Sequence, residues 1–350
     1  MGKHFALPHG ISERSRFIAL AFAVVAGAAG SASPTPAMAE AQTVRVAIQP
    51  GATYLPLLMM KHHKLIEKHA QQGGLGTITA TWAMLGSGAA VNDGLIAGQL
   101  DFAGTGTPPA ITLWARTRNT AQVKGVAAFS DVAQYLLTTN PNVKSLQDFT
   151  EKDRIALPAV KVSLQAVTLQ IAAAKAFGDA HYAKLDHLTV SMRHPDAMIA
   201  LLSGKSEITA HFSNPPFMFK QLQDPRVHKV LSSFDVFGGP ASNGVIVAPS
   251  AFRRDNPRLY RVFLAALDDA IGMIRGDLRG AARVYLAESK DKEPEESLLK
   301  MLSSPDVAFT AVPHNTMVFA DFMFRRGLIP VRPQSWKDLF YPEIHDRPGS

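Results

Sequence analysis

Cysteine is absent from all 350 residues. That excludes disulfides, thiolate nucleophiles, iron–sulfur clusters, cysteine-ligated zinc and a thioether-linked lipid anchor. Charge is also sparse, at 19% against 47% hydrophobic residues, so the chain can bury a large core and is not a disordered polymer. The formal net charge of +7 is scattered, with no basic run. It permits attraction of anions and is a poor basis for nucleic-acid binding. An apolar stretch long enough to cross a bilayer is missing as well: the run at residues 17–29 covers 13 positions, where a spanning helix needs about 20.

That run has the plan of a secretory signal. Arg14 and Arg16 form a basic start, and a small-residue stretch after the apolar run ends in Ala37-Met38-Ala39, an A-x-A cleavage pattern. The expectation is a signal peptide over residues 1–39, cleavage after Ala39, and a mature chain from Glu40 that is exported, soluble and free of a lipid anchor. Periplasmic location follows from that combination.

The rest of the chain alternates strand and helix patterns. Residues 43–48 alternate and are β-branched, Gln49-Pro50-Gly51 breaks the run, and residues 54–67 have helical spacing. Strand patterns at 77–84, 100–103 and 122–128 are separated by helices at 89–97 and 110–116, an order that argues for an open, largely parallel α/β sheet. The pattern then restarts. A strand at 154–157 precedes a helix capped by Ser163 and ended by Gly178, a strand at 188–192 precedes a helix with Pro195 in its first turn and Gly204 at its end, and a strand follows at 207–210. Residues 244–248 form a further strand, and Asn256-Pro257 has the form of an N-cap and first helical turn before a long amphipathic helix.

The two halves echo each other. Leu95-Ile96-Ala97-Gly98-Gln99-Leu100-Asp101-Phe102 with Pro108-Pro109 matches Leu201-Leu202-Ser203-Gly204-Lys205-Ser206-Glu207-Ile208 with Pro215-Pro216. The expected architecture is α/β with two lobes, each an open α/β sheet flanked by helices, joined by two hinge crossings near residues 130–134 and 242–249. Residues 40–130 plus 250–350 are assigned to lobe 1 and residues 131–249 to lobe 2. Clefts at such boundaries are common ligand sites.

Four loops follow predicted strands and lead into helices: Gly51-Ala52-Thr53, Ser87-Gly88, Thr105-Gly106-Thr107 and Lys161-Val162-Ser163. In open α/β sheets such strand ends line the binding crevice. Helix starts there offer unpaired backbone N–H groups, and small residues let an anion approach them. Phe129 and Phe212 are placed as possible crevice walls, with Trp82 and Trp114 in the core. Other chemistry is poorly supported. Ser297-Leu298-Leu299-Lys300 lacks the companion motifs of an S-x-x-K enzyme, and no G-x-S-x-G, P-loop or H-E-x-x-H occurs. His62, His63 and His69 stand among Lys61, Lys64 and Lys68, as on a solvated basic face rather than at a metal site. No cofactor, metal or catalytic residue is expected.

From Val44 to Asp277 the order of elements resembles the periplasmic solute-binding proteins of ABC importers, in the nitrate/sulfonate/taurine branch that shares its fold with thiamine-pyrimidine synthase proteins. The resemblance is carried by Gln49-Pro50-Gly51, by Leu95-x-x-Gly98-x-x-Asp101-Phe102 with the following Gly104 to Pro109 segment, and by Ala197 to Gly204 with Pro215-Pro216-Phe217. It implies a type II periplasmic-binding-protein fold closing on a small solute, an ABC permease as partner, and a monomer that binds no nucleic acid. It places the ligand-contacting positions on the four loops and on Phe212 and Asn214 of the 212–215 turn. Many relatives carry an acid before the proline of that turn. Here Asn214 stands, which disfavours an amine-bearing solute such as taurine and leaves a small, sulfonate-like organic anion. The alternatives are a neutral thiamine-type pyrimidine stacked on Phe129 or Phe212, and a pyrimidine-synthase-like enzyme.

Overall fold

The computed structural model describes residues 39–350, which cluster as one contact-continuous unit. The basic start, the apolar run and most of the cleavage pattern of the expected signal segment lie outside the described residues. Among the described residues no helix is long and apolar enough to cross a membrane.

The first stretch of chain runs β1 (Thr43–Ile48), α1 (Leu55–His63), α2 (Leu65–Gln72), β2 (Thr79–Met84), α3 (Gly88–Ile96), β3 (Phe102–Gly106), α4 (Thr107–Thr117) and β4 (Lys124–Val132). The second runs β5 (Tyr135–Thr138), β6 (Ile155–Leu157), α5 (Leu164–Phe177), β7 (Thr189–Ser191), α6 (His194–Ser203), β8 (Ala210–Ser213), α7 (Phe217–Gln221), β9 (His228–Ser232) and α8 (Ser233–Phe237). The chain then returns through β10 (Gly244–Ala248), α9 (Ser250–Asp255), α10 (Pro257–Gly276), α11 (Leu278–Ser289), α12 (Glu295–Leu302), β11 (Val307–Ala308), α13 (Thr316–Arg325) and α14 (Trp336–Leu339).

Two sheets result, ordered β11-β4-β10-β3-β1-β2 and β7-β6-β8-β5-β9. In each, three parallel strands (β2, β1 and β3; β7, β6 and β8) are followed by one antiparallel strand, β10 or β5. The sequence echo therefore has a structural counterpart, with β3 matching β8. Each antiparallel strand enters from the other sheet: β4 leads directly into β5, and the segment after β9 leads into β10. These are the two crossings. The expectation that residues 244–248 lie in the second lobe is corrected, because β10 pairs with β3 and β4 in the first sheet. A short apolar strand fits either sheet by pattern; hydrogen-bonding partners far along the chain decide which.

Local signals account for most boundaries. Ser87 and Ser163 cap α3 and α5 by accepting the Ala90 and Ala166 amides. Gly98 and Gly204, the matched glycines of the echo, stand at φ 67° and 63°, the left-handed values that stop a helix. One expectation fails. The helix foreseen at 54–67 breaks at Lys64, which adopts φ 51° and separates α1 from α2. Asn256 takes the N-cap position of α10 with Pro257 in the first turn, as expected, but its side chain makes no capping bond: Oδ1 accepts the Ala41 amide at 2.7 Å and Nδ2 donates to the Phe252 carbonyl. The His62–His69 group lies at the surface, as expected, and is paired there with acids of other helices. His62 meets Glu288 of α11 at 3.0 Å and His69 meets Asp269 of α10 at 2.7 Å, so the two rings tie α1 and α2 to different helices.

The core of the first sheet packs on α10, where the Phe102 ring of β3 stacks on Phe263 at 3.8 Å. Gly125 of β4 is required by Phe340: a Cβ at that position would lie 2.3 Å from the Phe340 ring. Gly125→Ala is therefore expected to lower stability by about 1–3 kcal/mol through overpacking, read as a shift in the urea midpoint. An unchanged midpoint would mean that the C-terminal segment does not seat against β4 as described.

Candidate functional site

A narrow cavity lies between the two sheets, partly open to solvent. Its lining comes from the residues just after the C-terminal ends of all six parallel strands. These are Gln49 and Pro50 after β1, Gly86 after β2, Gly106 at the end of β3, Pro158 after β6, His194 after β7 and Asn214 after β8. Gln134 and Asn243 come from the two crossings, and Thr53, Tyr54, Ser163 and Gln165 complete the polar wall. This is where the open-sheet rule puts a ligand, applied twice from opposite sides.

The walls approach closely, and glycine is what permits it. The Ala52 amide donates to the Pro215 carbonyl at 2.9 Å, joining the loop after β1 to the loop after β8. A Cβ on neighbouring Gly51, at φ 128°, would sit 2.7 Å from the Asn214 amide nitrogen. A Cβ on Gly86 would meet the Arg193 stem at 3.3 Å, and one on Gly106 would meet Leu164 at 3.1 Å. Each of these glycines belongs to the first sheet and each opposing residue to the second. Small residues in these loops thus serve the meeting of two walls as well as any approach of a ligand.

Of the loop residues expected from the sequence, Thr53, Gly88, Gly106, Ser163 and Asn214 line the cavity. Gly51 and Ala52 lie behind that lining, in the wall-to-wall contact. The Ser87 hydroxyl is used as a helix cap, the Thr107 hydroxyl donates to the Ser242 carbonyl, and Thr105 is wholly buried opposite Val245. Lys161 and Val162 are exposed, Lys161 at φ 66°, and neither faces the cavity. Phe129 and Phe212 show no exposed surface and lie outside the lining; Phe129 packs against Tyr54 at 5.1 Å, so Tyr54 is the aromatic that reaches the cavity. The expected crevice walls are core because both rings lie within strands of buried sheets. Alternation along a strand that is buried on both faces gives no sign of which ring meets solvent.

Sequence reasoning found Asn214 but missed the other amides, Gln49, Gln134, Gln165 and Asn243. Asn243 is 6% exposed, and its Oδ1 accepts both the Val132 amide at 2.9 Å and the Ser130 hydroxyl at 3.1 Å. An amide N–H can only donate, so this pair fixes the side-chain orientation and leaves Nδ2 as a buried donor without a partner. The Thr53 hydroxyl and Asn214 Oδ1 are likewise buried and unpartnered. Groups of this kind are costly unless something satisfies them. Helices α3, α4, α5 and α6 also begin at the cavity. Pro108, Pro109 and Pro195 remove N–H groups from the first turns of α4 and α6, so α3 and α5 supply most of the free amides.

Among the described residues no ionised side chain lines the cavity. Its one titratable base, His194, is buried against His211, with His194 Nδ1 2.8 Å from His211 Nε2. Burial pushes the His194 ring well below its usual range, with the His211 charge a further cause, and burial lowers His211 to about 3. In the unfolded chain both rings take up protons near pH 6.5; in the folded chain they do so only much lower. Their contribution to stability is therefore whole above pH 6.5 and is lost as pH falls toward 3. Urea unfolding at pH 7, 6 and 5 should show stability falling by up to about 1.4 kcal/mol per pH unit for each ring. A flat profile over that window would contradict the buried neutral pair.

No protein-family model matches the chain, and no curated protein matches it in sequence. Solved structures do match. The alkanesulfonate-binding protein SsuA from Xanthomonas axonopodis pv. citri, bound to MOPS, aligns at TM-score 0.67 and 18% identity over 84% of this chain and 96% of that one. The periplasmic aliphatic sulphonate-binding protein SsuA from Escherichia coli aligns at 0.63 and 18%, over 86% and 99%. The periplasmic nitrate-binding protein NrtA from Synechocystis PCC 6803 aligns at 0.63 and 12%, over 83% of each chain. With two sheets of matching strand order, two crossings and a cavity at the facing strand ends, the chain has the fold of the periplasmic binding proteins of ABC import systems.

Proposed function

We propose that this protein is the periplasmic solute-binding component of an ABC importer, and that it captures a small organic anion, sulfonate-like by preference, for delivery to a membrane permease. The observation that carries the reading is an uncharged cavity in which the unpartnered Asn243 amide, the Thr53 hydroxyl and the starts of α3 and α5 converge. Such a cavity suits a monoanion that gives up little hydration. It also rejects a cation, since no carboxylate lines it. Helix N-termini and backbone amides carry the favourable potential without a lysine or arginine.

Binding to the closed state would couple capture to the wall contact. The Ala52–Pro215 hydrogen bond and the three glycine approaches can form only when the lobes are together, so a ligand that fills the cavity favours that arrangement. Export fits the basic start, apolar run and A-x-A pattern at the N-terminus. The binding reading, rather than an enzyme, is supported by the lining: its one serine, Ser163, is a helix cap with its Oγ on the Ala166 amide. A pyrimidine stacked on Phe129 or Phe212 loses support, because neither ring has exposed surface.

The test is the sign of the ligand's charge. A thermal-shift screen of methanesulfonate, nitrate, acetate, taurine and a hydroxymethylpyrimidine should raise Tm with the first two classes of anion. Asn214→Asp, which puts a carboxylate on the cavity wall, should then weaken the anion at least tenfold by calorimetry. If Asn214→Asp leaves the anion unaffected, the anion reading is wrong. Gly51→Val should weaken every ligand by obstructing closure, since its side chain would collide with Asn214.

A further inference from the structure

Behind the cavity wall, four buried polar side chains from four elements form a single file. Gln165 of α5 lies at the cavity, its Nε2 3.2 Å from His194 Nε2 of α6. His194 Nδ1 is 2.8 Å from His211 Nε2 of β8, and His211 Nδ1 is 3.1 Å from Gln221 Oε1 of α7. All four residues are more than nine-tenths buried. Because burial keeps both rings neutral, each has one N–H and one lone pair, and every ring must accept at one nitrogen and donate at the other. The file therefore has a direction, and only two are possible.

Heavy-atom positions fix the partners and leave the direction open, since an amide's oxygen and nitrogen exchange places by a half turn. Run from Gln165 inward, the file has both rings protonated at Nδ1, turns the Gln165 carbonyl oxygen to the cavity, and strands the whole Gln221 NH2 group, which has no partner in the core. Run outward, Gln221 donates to His211 Nδ1, His211 Nε2–H donates to His194 Nδ1, and His194 Nε2–H donates to the Gln165 oxygen. The unpaired group at the inner end is then partly a carbonyl, which proteins leave unsatisfied more readily than an N–H. At the outer end the Gln165 amide N–H points into the cavity beside the Asn243 donor.

We infer that the file runs outward, so that Gln165 is an anion-contacting donor and His194, His211 and Gln221 are positioning residues that hold its amide in the orientation that selects acceptor-rich ligands. The inference rests on the anion reading only for the ligand class; the direction of the file is a property of the unliganded protein. It also explains why a site for an anion keeps two histidines neutral: a proton added to His194 would leave it unable to accept from His211.

The direct test is a long-range 1H–15N spectrum of the histidine-labelled full chain at pH 7.5, with His194 and His211 assigned by the signals lost in His194→Asn and His211→Asn. Both rings should show a protonated Nε2 and a bare Nδ1. A protonated Nδ1 on either ring overturns the inference, whether or not any anion binds. Gln221→Glu supplies an ionised acceptor that forces Nδ1–H on both rings and turns the Gln165 oxygen outward. It should reverse the ring signals and weaken methanesulfonate at least tenfold, and unchanged affinity with reversed signals would remove Gln165 from the contact. If that variant does not fold, the wild-type spectrum still decides the direction. If methanesulfonate and nitrate fail to bind the wild type while both rings are protonated at Nε2, the anion reading fails and the file's direction stands.

Discussion

The Ala52 amide of one wall reaches the Pro215 carbonyl of the other at 2.9 Å, and most of what is distinctive in the site depends on that approach. Two sheets present the C-terminal ends of three parallel strands each toward a common gap. Without the approach there would be two shallow crevices; with it there is an enclosed volume whose polar groups lose water and need a partner. Gly51, Gly86 and Gly106 make the approach possible, since a Cβ at any of them would press on Asn214, Arg193 or Leu164 of the opposite wall. The Thr53, Asn214 and Asn243 groups left unsatisfied in the gap are the counterpart of that enclosure.

The crossings do more than connect. Asn243, at the second crossing, is held by the Ser130 hydroxyl and the Val132 amide at the first. The same region is braced from the C-terminal part of the chain. Asp131 bonds the Ser242 hydroxyl and the His314 ring, the Ala133 amide donates to the Asp306 carbonyl, and β11 pairs with the end of β4. Burial raises Asp131 above the usual carboxylate range, against the lowering effect of His314 and Ser242. The cavity donor is thus placed by the structure that also governs how the two sheets are joined, so the position of that donor and the lobe geometry are not separable properties.

Electrically the site works with dipoles. Lys161 faces away, and the wall carries amides, hydroxyls, helix starts and a neutral histidine with its partner ring behind it. In a low-dielectric gap, fixed dipoles stabilise a monoanion without the desolvation cost of a buried lysine or arginine. That choice places the burden of selectivity on orientation: an amide that presents its oxygen instead of its nitrogen changes sides. Asn243 is locked by a backbone N–H, and Gln165 has the histidine file behind it.

Much of the fold was legible along the chain, because strand and helix periods, Ser163 as a cap and Gly98 and Gly204 as stops are local quantities that neighbouring residues decide. The repeated unit and the general position of the loops at strand ends followed from the same signals. Local pattern could not assign β10 to a sheet, break the first helix at Lys64 or keep Phe129 and Phe212 out of the cavity, since each depends on packing partners far along the chain. Of the cavity amides, Asn214 was within its reach and Asn243 and Gln165 were not. Asn243 becomes a donor only when Val132 occupies its oxygen, and Gln165, His194, His211 and Gln221 become one file only when α5, α6, β8 and α7 are packed together. Sequence determines which groups can donate or accept; the direction in which each one faces is settled by neighbours that only the tertiary structure brings within 3 Å or so.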